Sequence, residues 1–183
     1  MVLWLGRWKI IGAPPDLPKY VLIGQHTSNW DFVWMLAFVS YFRIDVRWIG
    51  KDTLFRPPFG AIMRALGGIP VDRSSHHDLV TQMANELKRR DRLILGIAPE
   101  GTRKFVDHWK SGFYAIAEQA GVPIVPARLD YGKRIGGFEG VVTPSGNVRA
   151  DMDQLRAFYA GQQNMNPEWT GTVRLKSEEN RDP

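Results

Sequence analysis

The run Arg92-Leu93-Ile94-Leu95-Gly96-Ile97-Ala98-Pro99-Glu100-Gly101-Thr102-Arg103 decides how this chain folds. Leu93–Ala98 carries no polar side chain and is bounded by arginine and proline, the pattern of a strand buried on both faces. Such a strand needs a sheet with helices packed on either side. Working outward, Tyr20–Gly24, Val46–Gly50, Ile69–Val71 and Pro123–Leu129 read as further strands, with two weaker ones between Lys133 and Thr143. Helical stretches lie between them. Asn29–Phe42 is entered through Thr27 and Ser28, and Phe59–Leu66 follows Pro57-Pro58. A third helix is capped by Ser74 and Ser75 and runs to Arg90, a fourth spans Ser111–Ala120 and stops at Gly121, and a fifth covers Asp151–Ala160. This alternation predicts a single α/β domain with a mixed, mostly parallel sheet flanked by helices. The expected division is an amphipathic N-terminal segment over residues 1–17, the domain over 18–162, and a polar tail over 163–183 that frays from Lys176.

A length of 183 residues suits one domain, and 44% apolar residues supply its core. Cysteine is absent, which excludes a disulfide framework, a thiolate metal site and a cysteine nucleophile. The formal charge of +5 favours an anionic partner. No secretory signal is expected, because Arg7 and Lys9 interrupt the apolar start and no small-residue cleavage site follows. The longest nearly apolar run, Phe32 to Phe42, is far short of the roughly 20 residues that span a bilayer. The segment with Trp4, Trp8, Arg7 and Lys9 suits either a membrane interface or packing on its own domain.

Two segments carry chemistry. His26 follows the first predicted strand, and Asp31 lies five residues on, across a turn at Thr27-Ser28. A turn there lets the carboxylate reach back to one imidazole nitrogen and leaves the other to accept a proton, which makes a general base with its orienting acid. Ser28-x-x-Asp31 also has the form of a helix capping box, and both readings stand on sequence. The second segment, Pro99-Glu100-Gly101-Thr102-Arg103-Lys104, leaves the apolar run quoted above. It joins an acid, a glycine that permits close approach to the main chain, a hydroxyl, and cations fit to grip phosphate. It reads equally as an ordinary strand-to-helix loop. No metal site is expected: His76-His77-Asp78 sit side by side with no second ligand cluster.

Taken together these segments resemble the glycerol-phosphate and lysophospholipid acyltransferase family. His26 and Asp31 match its H-x4-D motif, and Phe59-Gly60 through Arg64, Gly67 and Ile69-Pro70-Val71-Asp72-Arg73 match its second block. Pro99–Arg103 matches its P-E-G-T-R block and Val122–Pro126 its proline-flanked fourth, all in the family's order; Gln25 stands where many members carry asparagine. The resemblance implies a glycerol-phosphate acyltransferase-like fold and direct acyl transfer from a thioester, acyl-CoA or acyl carrier protein, with no permanently bound cofactor. The acceptor would be a lysophospholipid or glycerol phosphate, with His26 as base, Asp31 as its orienting acid, and Arg64, Glu100, Gly101, Thr102, Arg103 and Lys104 at the acceptor. The absence of a G-x-S-x-G elbow agrees with transfer that passes through no acyl-enzyme. An anionic membrane surface is the expected partner, nucleic acid is not, and the expected location is cytoplasmic, peripheral on the inner face of the membrane. A non-catalytic carrier of anionic lipid and a thioester hydrolase are the competing classes.

Overall fold

The computed structural model describes residues 6–71 and 76–178, with the side chains of residues 76–78 outside that description. Among the described residues seven strands form one sheet: β1 (Lys9–Gly12), β2 (Lys19–Ile23), β3 (Val46–Lys51), β4 (Gly68–Val71), β5 (Leu93–Ile97), β6 (Ile124–Asp130) and β7 (Ile135–Phe138). Their order is β1-β7-β6-β2-β5-β3-β4, and every pairing is parallel except β6 with β7. Among the described residues there are five α-helices, four between strands, α1 (Asn29–Phe42), α2 (Gly60–Ala65), α3 (His76–Arg89) and α4 (Gly112–Ala120), and one after the last strand, α5 (Val148–Tyr159). The expected architecture is therefore present. No helix among the described residues is long and apolar enough to cross a membrane.

Alternation along β2 sorts its side chains to two faces. Val21 and Ile23 join Leu87, Leu95, Phe113 and Leu155 in the larger core beneath α3, α4 and α5. Tyr20 and Leu22 turn the other way, toward Val39 and Phe42 of α1. On that second face Trp48 meets Phe32 at 4.8 Å and stacks on Phe55 at 5.7 Å, and its indole N–H donates to the Leu66 carbonyl at 2.8 Å. Gly136 lets the Phe38 ring lie directly on β7; a Cβ there would come within 2.2 Å of it.

Three expectations change. The N-terminal stretch is not a separate segment from residue 8 onward. Trp8 is buried between Trp34 and Tyr131, and Lys9–Gly12 add an edge strand beside β7. A four-residue edge strand whose two ends are exposed and whose middle is half-buried offers no alternation to be read from sequence. The second weak strand reduces to a single bridge between Val142 and Ile124. The tail is not loose through residue 178: Leu175 is buried, bridges to Trp109, and Arg156 holds Glu178 at 2.8 Å. The caps expected at Ser74 and Ser75, Asp72-Arg73 of the second block, and residues 179–183 lie outside the described residues.

Candidate active site

Adjacent parallel strands bring the two chemical segments together. Ile23, the last residue of β2, stands opposite Ile97, the last of β5, so both loops leave the same end of the sheet side by side. That end, where carboxyl termini of parallel strands open, is where α/β sheets place their clefts.

On the first loop, Nδ1 of His26 lies 3.2 Å from Oδ2 of Asp31, and the imidazole is 29% exposed. Its Nε2 has no hydrogen-bond partner among the described residues. Asp31 is buried and heavily engaged: Oδ2 accepts from the Thr27 and Ser28 backbone N–H groups at 2.7 Å each, and Oδ1 from the Tyr131 hydroxyl at 2.7 Å. The Ser28 hydroxyl accepts from the Trp30 N–H at 3.2 Å. The capping box and the acid–imidazole pair are thus one object. The cap makes Asp31 rigid, and rigidity aims the carboxylate at His26. Burial, followed by the Asp31 contact, drives the Tyr131 hydroxyl far above its ordinary pKa, so it is a firm donor.

The loop carrying His26 is clamped by the C-terminal segment. Gln25 accepts from Gln162 and Asn164 at 3.0 Å each, while Asn166 donates to the Thr27 carbonyl at 2.8 Å. These partners sit about 140 residues downstream, Gln162 at the expected end of the domain and Asn164 and Asn166 in the stretch read from sequence as a polar tail, and only folding brings them here.

The second loop splits. Gly101 adopts φ +66°, with its N–H donating to the Ala98 carbonyl at 3.1 Å, so a left-handed turn is the local reason for glycine. Thr102, Arg103 and Lys104 are exposed and line a groove of about 490 Å³ with Thr27, Ser28, Asn29, Trp30, Asn166 and Trp169. Arg103 donates to the Asn29 side chain at the first turn of α1. His26 itself is not among the lining residues; the two residues that follow it, Thr27 and Ser28, are. Glu100, expected at the acceptor, is only 1% exposed and faces inward, and neither carboxylate oxygen has a hydrogen bond of normal geometry. Burial pushes its carboxyl up to about 7; the backbone N–H groups of Glu100 and His26 pull it down in part, and the Asp31 charge adds to the rise. Arg64 is not brought to the groove. It donates to the Phe55 carbonyl at 3.2 Å and lies over the Phe55 ring.

Sequence reasoning missed Tyr131, Asn164, Asn166 and Trp169. None has a spacing signal, and their membership rests on contacts across the fold. Among the described residues no three His, Asp or Glu side chains gather to hold a metal ion. At the end of α3, Arg89 and Arg90 both pair with Glu86.

A family model described as Acyltransferase matches residues 13–130, more than half of the chain and including both loops. No curated protein and no solved structure matches.

Proposed function

Because this chain belongs to the acyltransferase family, we propose that it moves a fatty acyl group from a thioester donor, acyl-CoA or acyl carrier protein, to a hydroxyl of a lysophospholipid or glycerol-phosphate acceptor. The observation that carries this reading is His26 Nδ1 at 3.2 Å from a carboxylate fixed by three other donors, beside a groove with exposed Arg103 and Lys104.

Nε2 of His26 takes the proton of the acceptor hydroxyl as its oxygen attacks the thioester carbonyl. The tetrahedral adduct collapses by breaking the C–S bond. A thiolate leaves readily because thiols ionise near about 8.5, and the imidazolium then returns the proton to sulfur. Asp31 stabilises the imidazolium chiefly through charge, since its oxygens already accept from Thr27, Ser28 and Tyr131. Such a base contributes on the order of 10²–10⁴ in rate. Arg103 and Lys104 supply charge for the acceptor phosphate. Thr102 and the Gly101 turn shape the loop that presents them. Glu100 acts from beneath, under the His26 main chain. Arg64 stiffens the turn at Phe55, away from the acceptor.

The test is transfer of label from a radiolabelled acyl thioester to a panel of lysophospholipids and glycerol 3-phosphate. Acylated lipid product that disappears in His26→Ala supports the reading. Label released only as free fatty acid, whatever the acceptor, identifies a hydrolase. Binding without turnover identifies a carrier.

A further inference from the structure

The two faces of the sheet are unequally covered. Three helices, α3, α4 and α5, close the larger core, whereas α1 and the short α2 cover the other face. In its fourteen residues α1 has only Asn29, Asp31 and Ser40 as polar side chains besides Tyr41. A helix that is apolar around its whole girth is suited to cover on its outer side too. Yet only Asp31 and Phe38 of α1 are buried, while Trp30, Val33 and Tyr41 are exposed, Trp30 by 54%. Phe59 and Ile62 beside and on α2 extend the patch at 64% and 53% exposure. Of the twelve exposed large apolar residues among those described, seven fall between Trp30 and Leu66, on α1, on α2, at its two ends and on the 3₁₀ turn Asp52–Phe55 before it.

Charge at its margin identifies the occupant. Arg43 caps α1 beside Tyr41, Arg64 stands exposed near the end of α2, and Lys104 shares the groove with Trp30. From the start of α1 to the end of α2, apart from the buried Asp31, the only acids are Asp45 and Asp52, each held by an arginine, Asp45 by Arg47 at 3.2 Å and Asp52 by Arg56 at 2.9 Å. An apolar centre with an exposed tryptophan and a cationic margin complements an anionic bilayer surface. A second copy of this chain would set cations against cations. We propose that the α1–α2 face docks on an anionic membrane, with Trp30, Val33, Phe59 and Ile62 entering the boundary between headgroups and acyl chains. Trp30 also lines the groove, so an amphiphilic acceptor reaches Arg103 from the bilayer without crossing water. This deepens the proposed function and rests on it for the acceptor alone, because docking is measured without turnover.

Flotation of the full chain with phosphatidylcholine vesicles, with and without phosphatidylglycerol, tests it. Wild-type protein should bind the anionic vesicles and lose binding at high salt. Replacing Val33, Phe59 and Ile62 together by serine should reduce the bound fraction by about tenfold or more, with circular dichroism unchanged because all three side chains are exposed. Arg43→Gln with Arg56→Gln should reduce binding and flatten its salt dependence. Docking is overturned if the serine variant floats like wild type, or if wild type floats with neither vesicle. A dimer in sedimentation equilibrium that the serine variant dissolves, with no vesicle binding, also overturns it. Loss of acyl transfer with vesicle binding intact would count against the proposed reaction and leave docking standing.

Discussion

The hydroxyl of Tyr131 donates to Oδ1 of Asp31 at 2.7 Å, joining residues one hundred positions apart. It completes the set of donors that hold the carboxylate facing His26. Trp8 packs edge-on to the same ring at 5.2 Å, so the edge strand begun by the N-terminal stretch supports the site indirectly.

Tyr131→Phe should keep the ring packing and remove this one donor. The carboxylate then loses one of the three donors that aim it at His26. kcat should fall by up to about tenfold with KM little changed. Steady-state kinetics over a range of acceptor concentrations check this; an unchanged kcat removes Tyr131 from the site.

Arg103→Ala removes the exposed guanidinium that Asn29 steadies. The KM for a phosphate-bearing acceptor should rise by about 10- to 100-fold, with kcat little changed, since a charged hydrogen bond contributes about 1.5–3 kcal/mol. Arg103→Lys should recover part of the loss. Initial rates across acceptor concentration decide; an unchanged KM removes Arg103 from the acceptor site.

Asn166→Ala leaves the Thr27 carbonyl without its 2.8 Å donor and loosens the loop that carries His26. About 1 kcal/mol of stability should be lost, or about 2–4 °C in Tm. Amide exchange should quicken at His26 and Thr27 before it does in β5. Calorimetry and exchange mass spectrometry read both effects, and unchanged exchange at those amides would refute the clamp.

Glu100 makes stability fall as pH rises. Its carboxyl sits at about 7 in the folded protein against an ordinary value of 4.5. Below 4.5 both folded and unfolded chains hold the proton, and the group is neutral to stability. Between 4.5 and about 7 the unfolded chain releases it first, so folding is progressively disfavoured, by about 3 kcal/mol in total at higher pH. Glu100→Gln should therefore raise Tm relative to wild type at pH 8, with the gain vanishing near pH 4.5. Denaturation curves at the two pH values check this; an equal gain at both points to packing instead of ionisation.

The two chemical loops were legible in the chain because each is a local event. An apolar run such as Leu93–Ala98 announces a buried strand, and the residues that punctuate its end are those the rim requires. His26 and Asp31 could be paired across one turn for the same reason. Arg64 shows the converse: its motif position suggested the acceptor, and the fold ties it to Phe55.

By itself the sequence determined the α/β class, the motif loops and the family, all carried by neighbours within a few residues or by blocks in order. Tertiary structure alone decided that Ile23 stands beside Ile97, that Tyr131 and Asn166 brace the histidine loop, and that Glu100 lies under the site instead of in it. The physical reason is that a hydrogen bond or a burial across a hundred residues leaves no periodicity behind. A tyrosine or asparagine that will be anchored looks in sequence like one that will face water.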